Sequence, residues 1–275
     1  MLAAVTDLLD GDAVARYRRD GFVQGGHLVA PEEADALLAT VDRIVADPSH
    51  PQHTAVFDMG IDGRPLAHLK NLWATEPAFR DLLERPALAR ALHLLTGRHR
   101  FRLWQDGFFY KPPTVGSAHG WHQDLVYLPV APTSVGTAAW VALTDVVEAE
   151  DGAMALVPSS HRWGDATDVL ADLPAPAIDV PLAVPGRGRL PVEYATMGRG
   201  SVHFHDGLVW HGSVGNASRG TRCGLLLFFL DADDRLWPDH PYAERYPEAG
   251  TGSFDDSLHP VIEHHPSTNP AQFDG

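Results

Sequence analysis

The sequence predicts a mainly β protein with helices on its N-terminal side. From Phe101 onwards, short segments rich in aromatic and β-branched residues alternate with Gly and Pro, which is typical of strands joined by turns. Before that point, the apolar residues repeat with the period of a helix. The chain has 275 residues, of which 44% are hydrophobic, enough to close the core of one large domain or two small ones.

Two stretches in the first hundred residues have helical periodicity. One begins at Pro31, carries two acidic residues in its first turn and repeats apolar side chains along one face. The other begins at Pro77 and contains Pro86, so we expect two helices that meet at this proline. We interpret residues 1–100 as a largely helical support.

Residues 101–231 form the predicted core. Six segments within them have the composition of strands: FRLWQDGFFY, TAAWVAL, AMALVP, VEYATM, SVHFH and CGLLLFFL. Most of these segments have no helix-length pattern between them, which indicates a sandwich or barrel of antiparallel strands.

Two further segments lack a strand pattern. Residues 173–191 contain several prolines, which exclude them from a central strand and predict a long loop, either a lid or a surface insertion. After Asp231 the chain is polar and rich in Pro and His, and we interpret residues 232–275 as a tail that covers the core. With these parts, residues 1–275 are predicted to be a single domain.

The composition excludes several classes of partner. Lys and Arg number 21 against 36 Asp and Glu, and the net charge of −15 repels phosphate backbones and anionic lipid, so we predict neither nucleic acid nor membrane as a partner. The single cysteine, Cys223, excludes an internal disulfide, and the first residues lack a secretory pattern. We therefore expect a cytoplasmic protein.

A candidate metal motif lies at His122 and Asp124. Among the 16 histidines of the chain, His122 is the one followed two places later by an acid. In an extended segment, residues two apart point to the same side, so both can face one ion. Fe(II) oxygenases bind iron through two imidazoles and one carboxylate and leave other positions open. A hydrogen-bonded core histidine beside a turn-forming aspartate is the alternative interpretation.

Two more candidates lie in residues 200–230. A strand leads through a turn to His211, which is available as a third ligand, and a second turn leads to Arg222 at the start of a strongly apolar strand. An arginine buried there is costly unless a carboxylate meets it. A small dicarboxylate that binds iron at one end and Arg222 at the other accounts for both features.

These motifs resemble those of the phytanoyl-CoA dioxygenase family, which are Fe(II)- and 2-oxoglutarate-dependent oxygenases built on a double-stranded β-helix. The segments that carry the resemblance are residues 17–44, 121–124, 140–161 and 204–222. The resemblance implies a jelly-roll, cupin-like core, with O2 as a further substrate. It also implies that His122, Asp124 and His211 bind iron and that Arg222 anchors 2-oxoglutarate.

The same resemblance implies roles for further residues. Trp140 matches a residue that lines the oxoglutarate pocket, Ser213 a hydroxyl that contacts the same co-substrate, and Gln105 the co-substrate glutamine of ectoine hydroxylases. Structural interpretations stay open, because Trp140 also suits a core, Ser213 a turn and Gln105 a solvent-facing strand position. Candidate residues near the substrate are Lys111, His119 and Lys70, for which a loop position of His119 and a surface helix at Lys70 are the alternatives.

Some positions depart from the family pattern. Ser159 replaces a glycine, which we expect to alter loop packing more than chemistry. Ectoine hydroxylases carry an arginine where this chain has Gly107, so an ectoine substrate is disfavoured. Asp124 is intact, which disfavours halogenation. For the His-x-His at residues 203–205, we predict that His205 packs behind the metal site and that His203 faces the other way.

The resemblance implies hydroxylation of an unactivated C–H bond of a small molecule, with release of succinate and CO2. The high ratio of Arg to Lys and the abundance of Ala are typical of GC-rich bacteria, in which such enzymes modify secondary metabolites. Desaturation, cyclisation and epimerisation are alternative outcomes of the same chemistry. A binding protein without turnover and a zinc hydrolase are alternatives of other classes.

Overall fold

The structure, a computed structural model, describes residues 8–50, 53, 56–60 and 63–265. This part of the chain is mostly β, with several helices. The α-helices are α1 Ala13–Asp20, α2 Pro31–Ala46, α3 Pro77–Leu83, α4 Pro86–Thr96 and α5 Thr167–Ala171. The predictions of a helix from Pro31 and of two helices that meet at Pro86 are confirmed. None of the described helices has the length and apolarity that a membrane span requires.

The strands assemble into two main sheets and a small ribbon. Their bounds are β1 Phe22–His27, β2 Val56–Asp58, β3 Ala67–Lys70, β4 Arg100–Lys111, β5 His119–His122, β6 Gly136–Ala142, β7 Met154–Leu156, β8 Leu182–Val184, β9 Gly188–Leu190, β10 Glu193–Ala195, β11 Ser201–Asp206, β12 His211–Ser213, β13 Arg222–Asp231 and β14 Val261–Glu263. The large sheet has the order β1-β11-β6-β13-β4-β3-β2, with β14 also paired to β4. The small sheet has the order β10-β7-β12-β5.

The helices cover one face of the large sheet and the small sheet lies against the other. Because side chains alternate along a strand, neighbouring residues enter different clusters. Phe108 and Leu225 belong to the cluster formed with the helices. Trp140 and Leu226 belong to the cluster shared with Met154 of the small sheet. Lys111 shares its parity with Phe109, and Arg222 shares its parity with Leu226, so both candidates lie on the face toward the small sheet.

Two predictions about the periphery are corrected. The first hundred residues are not only helical, because β1, β2 and β3 extend the large sheet at its two ends. Residues 173–191 are not a plain loop, since β8 and β9 pair into a ribbon. This segment contributes Leu182 to a cluster with Trp121 and Trp210. Both tryptophans adjoin metal-motif histidines in sequence, so their side chains lie on the opposite face of the small sheet.

The covering tail is described as far as residue 265. Within it, β14 pairs with β4, and Ile262 packs against the cluster beneath the helices. The tail is therefore partly integrated into the large sheet. The predicted part of the tail at residues 266–275 lies outside the described residues.

Asp106 on β4 fastens the turn that follows β3. Its Oδ2 accepts a hydrogen bond of 2.7 Å from the backbone N–H of Trp73. Two residues before Trp73, Asn71 adopts the left-handed conformation at φ 58° and donates its N–H to the Asp106 backbone carbonyl at 3.3 Å. Burial raises the pKa of the Asp106 carboxyl to about 7.

We expect Asp106→Asn to flatten the pH dependence of stability between about pH 4 and about pH 7. The folded-state pKa of about 7 lies above that of an unfolded aspartate. Stability from the protonated carboxyl is therefore complete below the unfolded pKa and is lost as the pH rises through the folded pKa. Asparagine keeps an acceptor for Trp73 but does not ionise.

Thermal unfolding across this pH range measures the effect, which we expect to be on the order of 2–4 kcal/mol between the two ends. Asp81→Asn, at an exposed position of α3, is the matched control and should retain the wild-type pH profile. Parallel profiles for Asp106→Asn and the wild type would contradict the assignment.

Candidate metal centre

The pairing of β5 with β12 brings together the histidines of two distant motifs. In the antiparallel register, His211 lies directly opposite His122, and their rings are 4.1 Å apart between centroids. Asp124 follows β5 at the start of a short 3-10 turn, Leu125–Tyr127. One ligand atom from each of the three side chains lies within 4.8 Å of the others, and they form the metal-compatible cluster found among the described residues.

Backbone carbonyls fix the orientation of both imidazoles. Nδ1 of His122 lies 2.9 Å from the carbonyl oxygen of Gly120, and Nδ1 of His211 lies 3.0 Å from that of Val209. Because a carbonyl only accepts, each Nδ1 carries the proton and donates it. Each Nε2 is therefore left with a free lone pair, as a metal ligand requires.

The electrostatics of the cluster also suit a cation. Burial lowers the pKa of His211 well below its usual range, so this imidazole is neutral. Burial alone raises the pKa of Asp124, but the neighbouring imidazoles of His211, His122 and His205 lower it well below its usual range. Asp124 Oδ1 lies 3.5 Å from Nε2 of His122 and 3.7 Å from Nε2 of His211. A carboxylate faces imidazole nitrogens that can accept a metal.

His205 packs behind this cluster, as predicted. Its Nε2 lies 3.4 Å from Asp124 Oδ2 and can orient that carboxylate. The prediction that His203 faces the other way is wrong, because its ring lies 5.7 Å from that of His205 and stacks on Phe22. Residues two apart on a strand share a side, and the sequence prediction neglected this for β11.

Arg222 is a buried cation beside the cluster. It begins β13 opposite Lys111 at the end of β4, and its guanidinium carbon lies 4.5 Å above the ring of Trp140. Its Nε has no hydrogen-bond partner within the described part of the chain. Burial lowers its pKa to about 10, so it remains charged at neutral pH. A charged, unpaired group in this position fits an anionic ligand.

Lys111 and Ser213 form a polar wall next to Arg222. Nζ of Lys111 donates to Ser213 Oγ at 2.7 Å and to the Val214 carbonyl at 2.6 Å. Burial lowers the pKa of Lys111 to about 6, and the charge of Arg222 adds to the effect. Burial and the charge of Arg222 therefore disfavour a positive charge on Lys111, and an incoming carboxylate would reduce the repulsion between the two groups.

A cavity of about 370 Å³, including its open mouth, joins the metal cluster to Arg222. Of the residues named by sequence reasoning, its lining includes His119, Trp140 and Ser213. Gln105 and Lys70 are half-buried elsewhere on β4 and β3, so the structure does not bring them to this lining. Lys70 lies on a strand, not on a surface helix.

Sequence reasoning missed three apolar residues of the lining, Phe109, Met154 and Leu226. The parity of the strands carries a signal for two of them. Phe109 is two residues before Lys111 and Leu226 is four after Arg222, so each shares a face with a predicted site residue.

Comparisons with known proteins agree on one family. The family model for phytanoyl-CoA dioxygenase matches residues 17–224. An ectoine dioxygenase of Bordetella parapertussis is 28% identical over 248 residues, covering 84% of this chain and 79% of that protein. The peroxisomal phytanoyl-CoA dioxygenase of Mus musculus is 25% identical, covering 79% of this chain and 67% of that protein.

Solved structures share the fold. The non-heme alpha ketoglutarate dependent carbocyclase SnoK from nogalamycin biosynthesis aligns with a TM-score of 0.73 at 23% identity, covering 92% of this chain and 96% of its own. The epimerase SnoN, in complex with Fe3+, alpha ketoglutarate and nogalamycin RO, aligns with a TM-score of 0.67 at 24% identity, covering 94% of this chain and 95% of its own.

We expect Gly224→Ala to disturb the support of Arg222. An added Cβ at this position would lie 1.8 Å from the Trp140 ring, so the indole has to move from beneath the guanidinium. Such overpacking costs about 1–3 kcal/mol of stability. Urea unfolding measures the loss, and tryptophan fluorescence reports the displaced ring.

Gly220→Ala is the matched control, because nothing lies within 4 Å of a Cβ added there. An unchanged unfolding midpoint and emission spectrum for Gly224→Ala would show that the ring contact does not constrain this site.

Proposed function

The chain belongs to the phytanoyl-CoA dioxygenase family, and from this premise we propose that it is an Fe(II)- and 2-oxoglutarate-dependent oxygenase of a small molecule. One observation carries the proposal above the others. A cluster of two imidazoles and one carboxylate lines the same cavity as a buried arginine whose Nε lacks a partner among the described residues. The cavity therefore offers three ligands for a metal and a cation for an organic anion.

The donor set fits ferrous iron. His122 and His211 each offer Nε2 with its lone pair free, and Asp124 offers an ionised carboxylate. Two histidines and one carboxylate leave further coordination positions for a chelating co-substrate and O2. We assign these three residues as the iron ligands.

The cation beside them fits 2-oxoglutarate. Arg222 offers a planar donor group that suits a carboxylate, and Trp140 holds it from below. Ser213 lines the same end of the cavity, with Lys111 bonded behind it. We assign Arg222 to the far carboxylate of 2-oxoglutarate and assign Trp140, Ser213 and Lys111 to the wall around it.

When bound, iron and 2-oxoglutarate supply the oxidation of a C–H bond by O2, with succinate and CO2 as the other products. The chain supplies position and exclusion of water. His205 orients Asp124, and the apolar residues Phe109, Met154 and Leu226 keep the cavity poor in competing solvent. His119, whose ring lies 4.4 Å from that of His122, faces the same space and is our candidate contact for the substrate.

We also propose that the chain is one domain with a jelly-roll core. The support is the pairing of strands distant in sequence into two sheets that share an apolar cluster. The helices α1 to α4 then form a support on the outer face of the large sheet, consistent with their shared cluster.

The substrate we propose is a free small molecule. Relatives named for ectoine and structures named for nogalamycin biosynthesis support this class. Ectoine hydroxylases carry an arginine where this chain has Gly107, so ectoine itself is disfavoured. Hydroxylation is the proposed reaction, and the fold shared with a carbocyclase and an epimerase keeps cyclisation and epimerisation as alternative outcomes.

Anaerobic titration with Fe(II) and 2-oxoglutarate tests the site. We expect the visible charge-transfer absorption of the chelate in the wild type, its absence in His211→Ala, and at least a tenfold higher Kd for 2-oxoglutarate in Arg222→Ala because a charge-assisted pair is lost. Succinate formation in air should be abolished by His211→Ala. For Arg222→Ala, it should recover in part at high 2-oxoglutarate.

Arg219→Ala is the matched control, because Arg219 is exposed on the loop before β13. Full chelate formation in both site variants would refute the assignment. Hydrolytic turnover with Zn(II) in the absence of O2 would favour a hydrolase, and chelate formation without any release of CO2 would favour a binding protein.

A further inference from the structure

Gly107 lies next to two residues that line the cavity. It lies on β4 opposite Leu226 of β13, and Leu226 lines the cavity. Phe109, two residues further along β4, lines the cavity as well. Because side chains two apart share a face, a side chain at position 107 would point to the same side as Phe109.

The imidazole of His68 lies over Gly107, in the space that a side chain at position 107 would take. His68 lies on β3 opposite Phe109, and the two rings stack with centroids 4.3 Å apart at an interplanar angle of 14°. A Cβ added to Gly107 would lie 2.7 Å from Nε2 of His68. The neighbouring strand thus supplies the side chain that β4 lacks, and its Nε2 is the atom directed over Gly107.

The hydrogen-bonding state of this ring is constrained. Nδ1 lies 3.0 Å from Sδ of Met59, and a thioether only accepts, so Nδ1 carries the proton. Nε2 is then an acceptor, and it has no partner within the described part of the chain although the residue is only 5% exposed. Burial lowers the pKa of His68 to about 3, with a further contribution from Lys70, so the ring is neutral.

We propose that Nε2 of His68 accepts a hydrogen bond from an O–H or N–H group of the substrate and thereby selects substrates that carry such a donor. The inference rests on the proposed function and adds the chemical class of the substrate to it. A buried acceptor without a partner is costly, and a donor on the ligand removes this cost. A substrate that places only ether or carbonyl oxygens beside His68 leaves Nε2 without a hydrogen-bond donor.

Three small probes of one ring type test the preference: benzyl alcohol, benzyl methyl ether and toluene. Each is titrated anaerobically into protein loaded with Fe(II) and 2-oxoglutarate, and the Kd is read from the broadening of probe resonances by the nearby metal. We expect the wild type to bind benzyl alcohol about three- to tenfold more tightly than the ether, the range for one neutral hydrogen bond.

His68→Phe should remove this preference while toluene binds within about twofold of the wild type, since only the acceptor is lost. His68→Gln, which retains an acceptor oxygen, should keep part of it. Gly107→Ala should remove the preference with His68 intact, because the ring is displaced. His93→Phe, the same substitution on α4 remote from the cavity, is the control and should behave as the wild type.

The proposal is overturned if the wild type shows no preference for the alcohol, if His68→Phe keeps it, or if His68→Phe weakens all three probes equally, which indicates a packing role. The chelate absorption is recorded in every sample. Its absence from the wild type means that the proposed function has failed, whereas a normal chelate without donor preference means that only the role of His68 has failed.

Discussion

The constraint on which the site depends is the burial of positive charge without a matching acid. Arg222 begins one of the most apolar strands of the chain, and Lys111 lies opposite it across the strand pair. No acidic side chain in the described residues pairs with Arg222, so Trp140 supplies the contact that holds it. A protein retains such an arrangement when a ligand completes it, and the neighbouring cluster of His122, Asp124 and His211 indicates where the other end of that ligand lies.

The two sheets contribute different parts of this arrangement. The small sheet carries two of the metal-facing side chains, His122 and His211, in one register pair. The large sheet carries Arg222 and Trp140, together with the wall at Phe109. The distance between Arg222 and the residues of the metal-compatible cluster is therefore set by the packing of one sheet on the other, through the apolar cluster that they share. Substitutions within the shared apolar cluster are therefore expected to change the geometry of the site although they replace none of the metal-binding residues.

Much of the arrangement could be predicted from the sequence, and the misses have physical causes. The helices from Pro31 and around Pro86 were predicted because an amphipathic period and proline are local signals. The strand β1 was missed because Gly25 and Gly26 weaken its pattern, and its pairing with β11 is a long-range contact that local sequence does not show. Likewise, the sequence around His68 contains no motif that marks it as a site residue. Its importance arises from the register of β3 against β4 and from the missing side chain of Gly107, which are properties of pairing and not of local sequence.

The chain order of the strands has a consequence for how the protein folds. Strand β1 pairs with β11, and β4 pairs with β13, each over more than a hundred residues of intervening chain. Forming such distant contacts costs the conformational entropy of a large loop before the packing of the strands can stabilise them, which slows folding. During synthesis, neither sheet can reach its final strand order until residues 201–231 have left the ribosome. We therefore expect assembly of the metal-binding residues to be a late event, so that iron is acquired by a nearly finished protein and does not guide its collapse.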